Sequence, residues 1–558
     1  MKLLLLQPPI QDFYDTDIRL LPMGLAYLKG SIKQYCPDVQ VLVKDYHHGR
    51  GRRTIPLPRE LAYLKDYYAC ADKSPFSTFH QYYHFGASFE AIADEVADEQ
   101  PDLVGISSLF TPYYREVLKI AAAIKSKRDV PIILGGSHVS AVPEQMLGEP
   151  VVDFVIRGEG ERPIVDFLKA WSTHRNFSQV PNLGWKKNGN LVLNPLEVNF
   201  PVDQLAHPDF EDFKVDEYLY DQKPMSMVMT SRGCPYRCSF CSIHPTFGFQ
   251  YRKRSVEHIL EEMQKRYTEG IRVFDFEDDH LTYFQEEMKE LCRRLIQSFP
   301  QGDVQLVAMN GLSYWSLDSE LLRLMKKAGF THLNISLVSA NEDVRLAVSR
   351  PHSMHAYETT VREAARLGFR IVSYQILGLP GETLESMIET LIGNARLPVL
   401  LGASMFYLAP GSPISQEFPQ LSNDDLYRAR LTAMAIESDD VDREDLYTLF
   451  VTSRIINFLK GISLPQGEME LDVALKRVRE ADKRAQIGAE LLRKLLVDGK
   501  LFAATDQGAF PLRRFKSDLF RKIWEGIGIV ATQDNKKILL PKGGPRKEDN
   551  LTVGTKNV

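Results

Sequence analysis

Residues 231–244 read Ser-Arg-Gly-Cys-Pro-Tyr-Arg-Cys-Ser-Phe-Cys-Ser-Ile-His, with Cys234, Cys238 and Cys241 in a C-x-x-x-C-x-x-C spacing. Three thiolates this close together, with no fourth cysteine beside them, can hold three corners of a cubic 4Fe–4S cluster and leave the fourth iron without a protein ligand. An iron with open positions can bind a small molecule. The apolar run at 225–229 is typical of a strand, so the cysteines follow its carboxyl end, where parallel α/β barrels place their active sites.

The same loop could instead hold zinc, with His244 as the fourth ligand of a Cys₃His set. Zinc knuckles usually come as two short ligand pairs with a longer spacer between them, whereas this group of cysteines is single. Chance grouping is a third interpretation, but three of the six cysteines fall within eight residues. Ligand type and spacing therefore favour an iron–sulfur cluster over both alternatives.

With the aromatic Phe240 just before the last cysteine, the motif resembles the signature of the radical S-adenosylmethionine (SAM) enzymes. The resemblance implies that the amino and carboxylate groups of SAM chelate the open iron. It also implies that an electron from the cluster cleaves SAM to methionine and a 5′-deoxyadenosyl radical, which abstracts a hydrogen atom from the substrate. An external electron donor such as flavodoxin or ferredoxin is then an expected partner.

The composition is that of an ordinary globular protein, with 44% hydrophobic and 25% charged residues. Its 558 residues suggest about three or four domains. A net charge of −5 gives no electrostatic reason to expect nucleic acid or an anionic membrane surface as a partner. No stretch approaches the roughly 18 apolar residues of a transmembrane segment. Six cysteines are too few for a disulfide framework, so we expect a cytoplasmic protein with reduced thiols.

Residues 1–175 alternate between strand and helix patterns. Five strands are predicted, at 3–6, 41–43, 103–107, 131–134 and 154–156. This order predicts a doubly wound, Rossmann-like α/β domain with a parallel, flavodoxin-like sheet, which binds ligands beyond the carboxyl ends of its strands. An aromatic-rich stretch at 50–90 interrupts the alternation. It predicts a helical insertion with a small core of its own or, alternatively, a lid that contacts the substrate.

Glycines and polar residues follow the third, fourth and fifth of these strands. Glycines there let a large ligand approach the backbone, and hydroxyl or N–H groups can bond its polar edge. Together with the segment at 21–28, and directly ahead of the three cysteines, they resemble the cobalamin-binding domain of the cobalamin-dependent radical SAM family. The resemblance implies cobalamin contacts at Ser107, Ser108, Gly135, Gly136, His138, Gly158, Glu159 and Gly160.

One departure from that family concerns the ligand of cobalt. Many cobalamin domains carry Asp-x-His-x-x-Gly after the first strand, but the loop at 7–21 contains no histidine. The stretch Asp45-Tyr-His-His-Gly49 follows the second strand with the wrong spacing, and we interpret it as a turn. The implied cofactor is cobalamin without a histidine on its lower face, and His138 is a loop contact rather than a cobalt ligand.

Residues 176–222 are interpreted as a linker with a β-hairpin around 187–190, and residues 223–418 alternate strands and helices again. Six predicted strands match the partial (β/α)₆ barrel of the radical SAM family rather than a full eight-stranded barrel. The segment Glu277-Asp-Asp-His280 could bind Mg²⁺ or Zn²⁺, but the barrel context favours acceptors for the SAM amino group. Strand-end positions and the resemblance imply SAM contacts at Phe240, Glu277, Asp278, Asn310, Ser336 and Gln375.

The last part of the chain carries no motif. Residues 419–535 have helical patterns and predict a C-terminal domain that could close the barrel mouth over the substrate. The polar residues 536–558 are expected to be disordered.

The resemblance as a whole implies methylation of an unactivated carbon. One SAM would methylate reduced cobalamin, a second SAM would yield the radical, and the substrate radical would take the methyl group from methylcobalamin. Two alternatives stay open: a radical SAM cyclase or rearrangement enzyme without net methyl transfer, and a non-catalytic cobalamin and iron–sulfur sensor. The sequence does not identify the substrate beyond a small molecule or a lipid.

Overall fold

The computed structural model describes residues 1–16, 21–173, 175–198, 200–418 and 421–541. Its first part is a sheet whose parallel strands are rich in Leu, Ile and Val, because helices cover both faces. The elements of this part are β1 Lys2–Gln7, β2 Ile10–Asp12, α1 Met23–Tyr35, β3 Gln40–Asp45, β4 Arg52–Thr54, β5 Tyr83–Phe85, α2 Phe89–Glu99, β6 Leu103–Ser107, α3 Tyr114–Lys127, β7 Ile132–Gly135, α4 Ser137–Ala141, α5 Pro143–Gly148, β8 Phe154–Ile156, α6 Glu161–Ser172, β9 Leu183–Lys187 and β10 Asn190–Leu193.

The first sheet has the strand order β10-β9-β8-β7-β6-β1-β3. Counted along the chain, its parallel strands lie in the order 2-1-3-4-5, which confirms the predicted flavodoxin-like arrangement. The predicted hairpin forms as β9 and β10, and β9 pairs antiparallel with β8. The hairpin is therefore part of the first sheet rather than of a free linker.

The aromatic insertion differs from its prediction as a helical unit with its own core. It contains β4, β5 and a 3₁₀ helix at Arg59–Asp66, and β2, β5 and β4 form a small antiparallel sheet. Phe79 stacks on Phe450, and Tyr67 meets Tyr447 edge-on, so rings of the insertion pack on the C-terminal region. That region supplies the apolar surface that a short insertion lacks.

The second part of the chain is the barrel. Ser255 and Thr383 cap the amino ends of two of its helices, because their hydroxyls accept a hydrogen bond from a backbone N–H of the first turn. The elements are β11 Leu219–Tyr220, β12 Lys223–Val228, β13 Ser231–Arg232, α7 His244–Phe247, β14 Arg252–Lys253, α8 Val256–Thr268, β15 Val273–Phe276, α9 Gln285–Ser298, β16 Gln305–Val307, α10 Ser319–Ala328, β17 His332–Val338, α11 Glu342–Ala347, α12 Met354–Arg366, β18 Arg370–Leu377, α13 Leu384–Ala395 and β19 Leu400–Met405.

The barrel wall within the described chain consists of six parallel strands. β12, β15 and β16 pair in one ladder, and β17, β18 and β19 pair in another. Isolated parallel bridges, Leu306 to Phe330 and Leu312 to Ile335, join the two ladders. This confirms the predicted partial (β/α)₆ barrel, with all strand carboxyl ends at one mouth.

The C-terminal region is not purely helical, in contrast to its prediction. Its elements are α14 Asn423–Tyr427, α15 Arg443–Lys460, β20 Glu468–Glu470, α16 Leu471–Lys476, α17 Lys483–Asp498, β21 Phe502–Thr505, β22 Gly508–Pro511, α18 Ser517–Ile527, β23 Ile529–Ala531 and β24 Lys537–Leu539. β24 is the central strand of the sheet β20-β24-β23, so the disorder expected from residue 536 onward is wrong there. The rest of that expected tail, 542–558, lies outside the described residues.

One hydrophobic cluster runs through all three parts of the chain. Leu4 of β1, Leu391 of α13 and Trp524 of α18 are buried members of it. The first sheet, the barrel and the C-terminal region are therefore packed against each other, which fixes the mouth of the sheet relative to the mouth of the barrel. Across the described ranges, no helix combines the length and the apolarity that crossing a bilayer requires.

Candidate active site

The cysteine loop leaves β12 and is held by the acidic residues that follow β15. The buried Asp278 carboxylate accepts hydrogen bonds from the Thr230 N–H at 3.1 Å and the Thr230 hydroxyl at 2.7 Å, and from the Ser231 hydroxyl. Asp279 accepts a hydrogen bond from the Gly233 N–H at 3.0 Å. These bonds set the direction in which the loop crosses the barrel mouth. The structure thus places the Asp278 carboxylate against the start of the cysteine loop.

Two buried arginines tie the same loop region to the first sheet. Arg232 lies 3.1 Å from carboxylate oxygens of Glu159 and of Glu161, and Arg252 lies 2.9 Å from Glu159. Burial alone would raise the pKa of Glu161, but the ion pair with Arg232 brings it below its ordinary value. We call these four residues the interdomain clamp. The Glu159 carboxylate, a predicted cobalamin contact, is already engaged in it.

A continuous cavity of about 980 Å³ lies between the mouth of the first sheet and the mouth of the barrel. The predicted residues that border it are Ser107, Gly135, Gly136, His138, Gly158, Glu159 and Gly160 from the first sheet, and Cys234, Cys238, Phe240, Cys241, Glu277, Asn310 and Ser336 from the barrel. Because strand ends and all three thiols open to one space, ligands at the two mouths would face each other.

Three predicted contacts do not border this cavity: Asp278, Ser108 and Gln375. Ser108 is 1% exposed, and its main-chain carbonyl accepts the His138 N–H at 3.2 Å. Gln375 is 1% exposed and accepts a hydrogen bond from the Asn394 side chain at 3.3 Å, inside the barrel wall. Both residues are buried beside the strand ends and do not border the cavity.

The three cysteines are free thiols; Cys238 is buried, and Cys234 and Cys241 are partly buried. Burial is the main reason that the pKa of Cys234 rises to about 12 and that of Cys241 to about 11. Such thiols become thiolates when a metal centre binds them, so a donor set of three sulfurs fits an iron–sulfur cluster. Within the parts of the chain that the structure describes, no three His, Cys, Asp or Glu side chains are grouped around a single metal ion.

His244 is engaged by the backbone of the cysteine loop. Its Nε2 lies 3.1 Å from the carbonyl oxygen of Cys234, and its ring stacks on Phe249 at 3.8 Å. This geometry directs the imidazole at a peptide group and not at the thiols, where a Cys₃His zinc site would need it.

Carboxyl groups on the barrel wall are held partly protonated. Burial, followed by the neighbouring Asp275, raises the pKa of Glu277 to about 8, and burial raises that of Asp279 to about 7. Both border the cavity, so a bound ammonium group would restore their charge, which fits the amino group of SAM. The sequence prediction missed Asp279. Asp279 continues the positions of Asp275 and Glu277, which alternate with the buried rings Phe274 and Phe276. A period of two could therefore have identified Asp279.

Arg350 is a second residue of this wall that the sequence prediction missed. Its Nε lies 3.2 Å from the Cys238 sulfur, and its Nη1 donates to the Ser336 hydroxyl at 2.9 Å. The guanidinium also lies 5.6 Å from the centre of the Phe240 ring. No described carboxylate is within 4.0 Å of it, so the cation is available to an anionic ligand. It follows α11 rather than a strand, and no strand-end pattern marks it.

The mouth of the first sheet offers backbone rather than charge. Gly136 has a φ of 123°, and a Cβ there would meet the Ser108 carbonyl oxygen at 2.5 Å. His138 Nδ1 lies 3.2 Å from the Thr111 hydroxyl, and its buried Nε2 has no hydrogen-bond partner among the described residues. Burial lowers the pKa of His138 to about 4, so the ring is neutral. A broad ligand with many amide groups, such as cobalamin, fits this surface.

Residues 45–49, which begin at the last residue of β3 and have the wrong spacing for a cobalt-binding motif, form the predicted turn. The Asp45 carboxylate accepts hydrogen bonds from the N–H groups of His47 at 2.8 Å and His48 at 3.2 Å. Neither histidine is among the described residues that border the cavity.

The C-terminal region contributes a roof to the cavity through Arg430 and its neighbours. Arg430 is 4% exposed and donates to the carbonyl oxygen of Gln11 at 2.8 Å, the carboxylate of Asp12 at 3.1 Å and the carbonyl oxygen of Pro112 at 2.8 Å. A buried, fully bonded guanidinium fixes this segment on the first domain. Its partners are hundreds of residues away in the chain, so no local pattern predicts the contact.

Family models match both halves of this architecture. The model of the radical SAM superfamily matches residues 228–391, and that of the B12 binding domain matches residues 77–168. An uncharacterized methyltransferase of Pyrococcus horikoshii is 29% identical over 318 residues, which are 56% of this chain and 68% of the relative. An anaerobic magnesium-protoporphyrin IX monomethyl ester cyclase of Cereibacter sphaeroides is 28% identical over 348 residues, which are 59% of this chain and 55% of that relative.

The fold is similar to a solved structure of the radical SAM methyltransferase TsrM from Kitasatospora setae, which has cobalamin and a [4Fe–4S] cluster bound. The TM-score is 0.56 at 18% sequence identity, over 75% of this chain and 74% of that one. The sheet and the barrel thus occur together, in the same order, in a protein that holds both cofactors. With both family models matched in sequence and both mouths open to one cavity, the chain belongs to the cobalamin-dependent radical SAM enzymes.

Proposed function

We propose that this protein is a methyltransferase that acts on an unactivated carbon of a small-molecule or lipid substrate, with SAM, cobalamin and a 4Fe–4S cluster as cofactors. The observation that carries the proposal is the cavity of about 980 Å³, which reaches both the strand ends of the first sheet and the three thiols. Similarity to the methyltransferase of P. horikoshii, at 29% identity, supports the type of reaction.

When bound, the cluster with SAM supplies a carbon-centred radical, and cobalamin supplies a transferable methyl group. The chain itself must hold these groups against one substrate and exclude water. The interdomain clamp keeps the two mouths at a fixed separation. Arg430 holds the roof over the space between them.

We assign the charged residues of the barrel wall to SAM. Glu277 and Asp279 would accept hydrogen bonds from its ammonium group, and their raised pKa values would fall when that cation binds. Arg350, which donates a hydrogen bond to the Ser336 hydroxyl, would bind its carboxylate. Asp278 does not contact SAM in this proposal but positions the cysteine loop through its hydrogen bond to Thr230.

Ring formation without net methyl transfer is the second candidate function. The similarity to the magnesium-protoporphyrin cyclase of C. sphaeroides, at 28% identity, favours keeping it. A sensor without turnover is the third candidate, and the accessible thiols and unpaired Arg350 on the cavity wall argue against it.

Product analysis separates the three candidates. The protein is reconstituted anaerobically with iron, sulfide and cobalamin, and is then incubated with titanium(III) citrate and methyl-deuterated SAM. A methyltransferase forms both 5′-deoxyadenosine and S-adenosylhomocysteine, which mass spectrometry detects. Deoxyadenosine alone supports ring formation or rearrangement. If neither product forms, while a Cys241→Ala control is equally silent, the enzyme assignment is contradicted.

An electron donor and a reducing compartment belong to the same proposal. The described cysteines, Cys36, Cys70, Cys234, Cys238, Cys241 and Cys292, are all free thiols. Together with the oxygen sensitivity of an open-sided cluster, they support a cytoplasmic location. A reduced flavodoxin or ferredoxin is the proposed source of the electron.

A further inference from the structure

Phe249 is an exposed ring that stacks on His244, the residue that contacts the backbone of the cysteine loop. It is 42% exposed and stacks on the His244 imidazole with 3.8 Å between ring centres and 18° between planes. His244 is 9% exposed, and its Nε2 lies 3.1 Å from the Cys234 carbonyl oxygen. A short series of contacts thus leads from solvent through Phe249 and His244 to the backbone of Cys234, a proposed cluster ligand.

Arg237 adds a positive charge to the same place. It is exposed, lies in the loop between Cys234 and Cys238, and has its guanidinium carbon 4.1 Å from the centre of the Phe249 ring. No carboxylate of the described chain is within ion-pair distance of it. Exposed aromatic rings and arginines are enriched at protein–protein interfaces, so this pair is suited to a partner that is negatively charged.

The geometry points to the surface formed by Arg237, Phe249 and His244 as the docking site of an acidic one-electron carrier protein, which reduces the cluster there. The inference rests on the proposed function, because only radical chemistry requires an electron to be delivered to this loop. The chain as a whole has a net charge of −5, and Arg237, a cation without a carboxylate partner among the described residues, gives an acidic carrier a local point of attraction. Electron transfer slows steeply with distance, and contact at Phe249 gives a short route to Cys234.

The redox step balances with a flavodoxin as the carrier. Its anionic flavin hydroquinone gives one electron and becomes the neutral semiquinone, without loss of a proton. The cluster gains that electron and becomes one unit more negative. The carrier is then replaced, because the semiquinone no longer supplies a sufficiently low-potential electron.

Two variants of the surface formed by Arg237, Phe249 and His244, which we call the patch, and two matched controls test the docking site. Arg237→Glu reverses the charge, and Phe249→Ala removes the ring. Arg370→Glu reverses an exposed arginine at the amino end of β18, at the opposite end of the barrel, and Phe510→Ala removes a ring that is 40% exposed in β22. Each reconstituted holoenzyme is reduced either by flavodoxin hydroquinone or by titanium(III) citrate. Cluster bleaching in a stopped-flow spectrometer gives the rate, and a fluorescence titration with flavodoxin gives the affinity.

The inference predicts that Arg237→Glu and Phe249→Ala each slow reduction by flavodoxin about tenfold and weaken its binding similarly, whereas the controls match the wild type. Raising the salt to 0.5 M narrows the difference between wild type and Arg237→Glu, since the Debye length falls below about 8 Å. Titanium(III) citrate reduces all five proteins equally. The site is refuted if flavodoxin reduces Arg237→Glu as fast as wild type, if it fails to reduce the wild type, or if both patch variants are slow with titanium as well. Deoxyadenosine formed under titanium(III) tests the proposed function separately.

Discussion

The mouth of the barrel and the mouth of the first sheet border one cavity but differ in their charged side chains, which among the described residues lack ion-pair partners at the barrel and are ion-paired at the sheet. At the barrel, Glu277 and Asp279 have raised pKa values and Arg350 has no carboxylate partner in the described chain. At the sheet, Glu159 and Glu161 are already bound to arginines of the interdomain clamp. The barrel mouth is thus prepared for a charged ligand, whereas the charges beside the sheet hold the domains together.

This difference assigns the two cofactors. A zwitterion such as the methionine part of SAM can satisfy an unpaired arginine and two partly protonated carboxyl groups at once. Cobalamin needs a wide surface with free backbone, which Gly136 and its neighbours provide. Changes at the barrel should therefore affect the cluster and SAM and leave cobalamin binding intact.

The largest expected effect is that of Cys238→Ala. It removes one of only three sulfurs, so the cluster should be lost and no deoxyadenosine should form. Cobalamin binding, measured by absorbance after gel filtration, should stay at the wild-type level. Cys70→Ala, which removes a thiol outside the cavity, is the matched control. Loss of cobalamin together with iron in Cys238→Ala would break the proposed separation of the two mouths.

The clamp gives the next largest effect. Arg232→Met leaves Glu161 and part of Glu159 buried without a counter-charge, which should lower the free energy of unfolding by about 3–5 kcal/mol. Arg362→Met removes an exposed ion pair to Glu358 of the same helix and should cost less than about 1 kcal/mol. Urea unfolding of the cofactor-free protein measures both. Equal small losses would mean that the clamp does not join the domains.

A smaller effect is a pH dependence of the cofactor-free protein. Glu277 has a folded pKa of about 8 against an ordinary value near 4.3, so its contribution to stability is present below that ordinary value and is lost as pH rises through 8. Between pH 5 and 8 the free energy of unfolding should fall by on the order of 1 kcal/mol per pH unit from this group. Glu277→Gln should make the profile less steep in thermal unfolding at several pH values, and Asp279 should still contribute to the remaining slope. An unchanged slope would show that Glu277 ionises freely.

The smallest effect is that of Ser336→Ala. It removes the acceptor of the Arg350 hydrogen bond at 2.9 Å, which is worth about 1 kcal/mol, so SAM should bind about fivefold more weakly. Equilibrium dialysis with the reconstituted protein gives the dissociation constant. Cobalamin affinity should not change, and a parallel loss of both would contradict the assignment of Ser336 to SAM.

Much of this architecture follows from the sequence because its signals are local. The cysteine spacing, the strand patterns and the caps Ser255 and Thr383 depend on residues a few positions apart. The direction of a side chain past a strand end is less certain. The sequence analysis predicts SAM contacts at Glu277 and Asp278 and does not include Asp279, although Asp279 continues the alternate positions of Asp275 and Glu277.

Contacts between distant segments could not be predicted in this way. Arg232 meets Glu161, and Arg430 meets Asp12, only after two domains have packed. The aromatic insertion was expected to be self-contained, yet Phe79 packs on Phe450 of the C-terminal region. A single sequence carries the apolar pattern of each partner but not their pairing.

The central claim is that three cysteines hold a cluster with one open iron beside the cobalamin surface. Electron paramagnetic resonance of the reduced, anaerobically reconstituted protein, recorded with and without SAM, tests it most directly. The account predicts about four iron atoms per chain and a cluster signal that changes when SAM binds. A signal that ignores SAM, or a tetrahedral zinc site that includes His244, would contradict it.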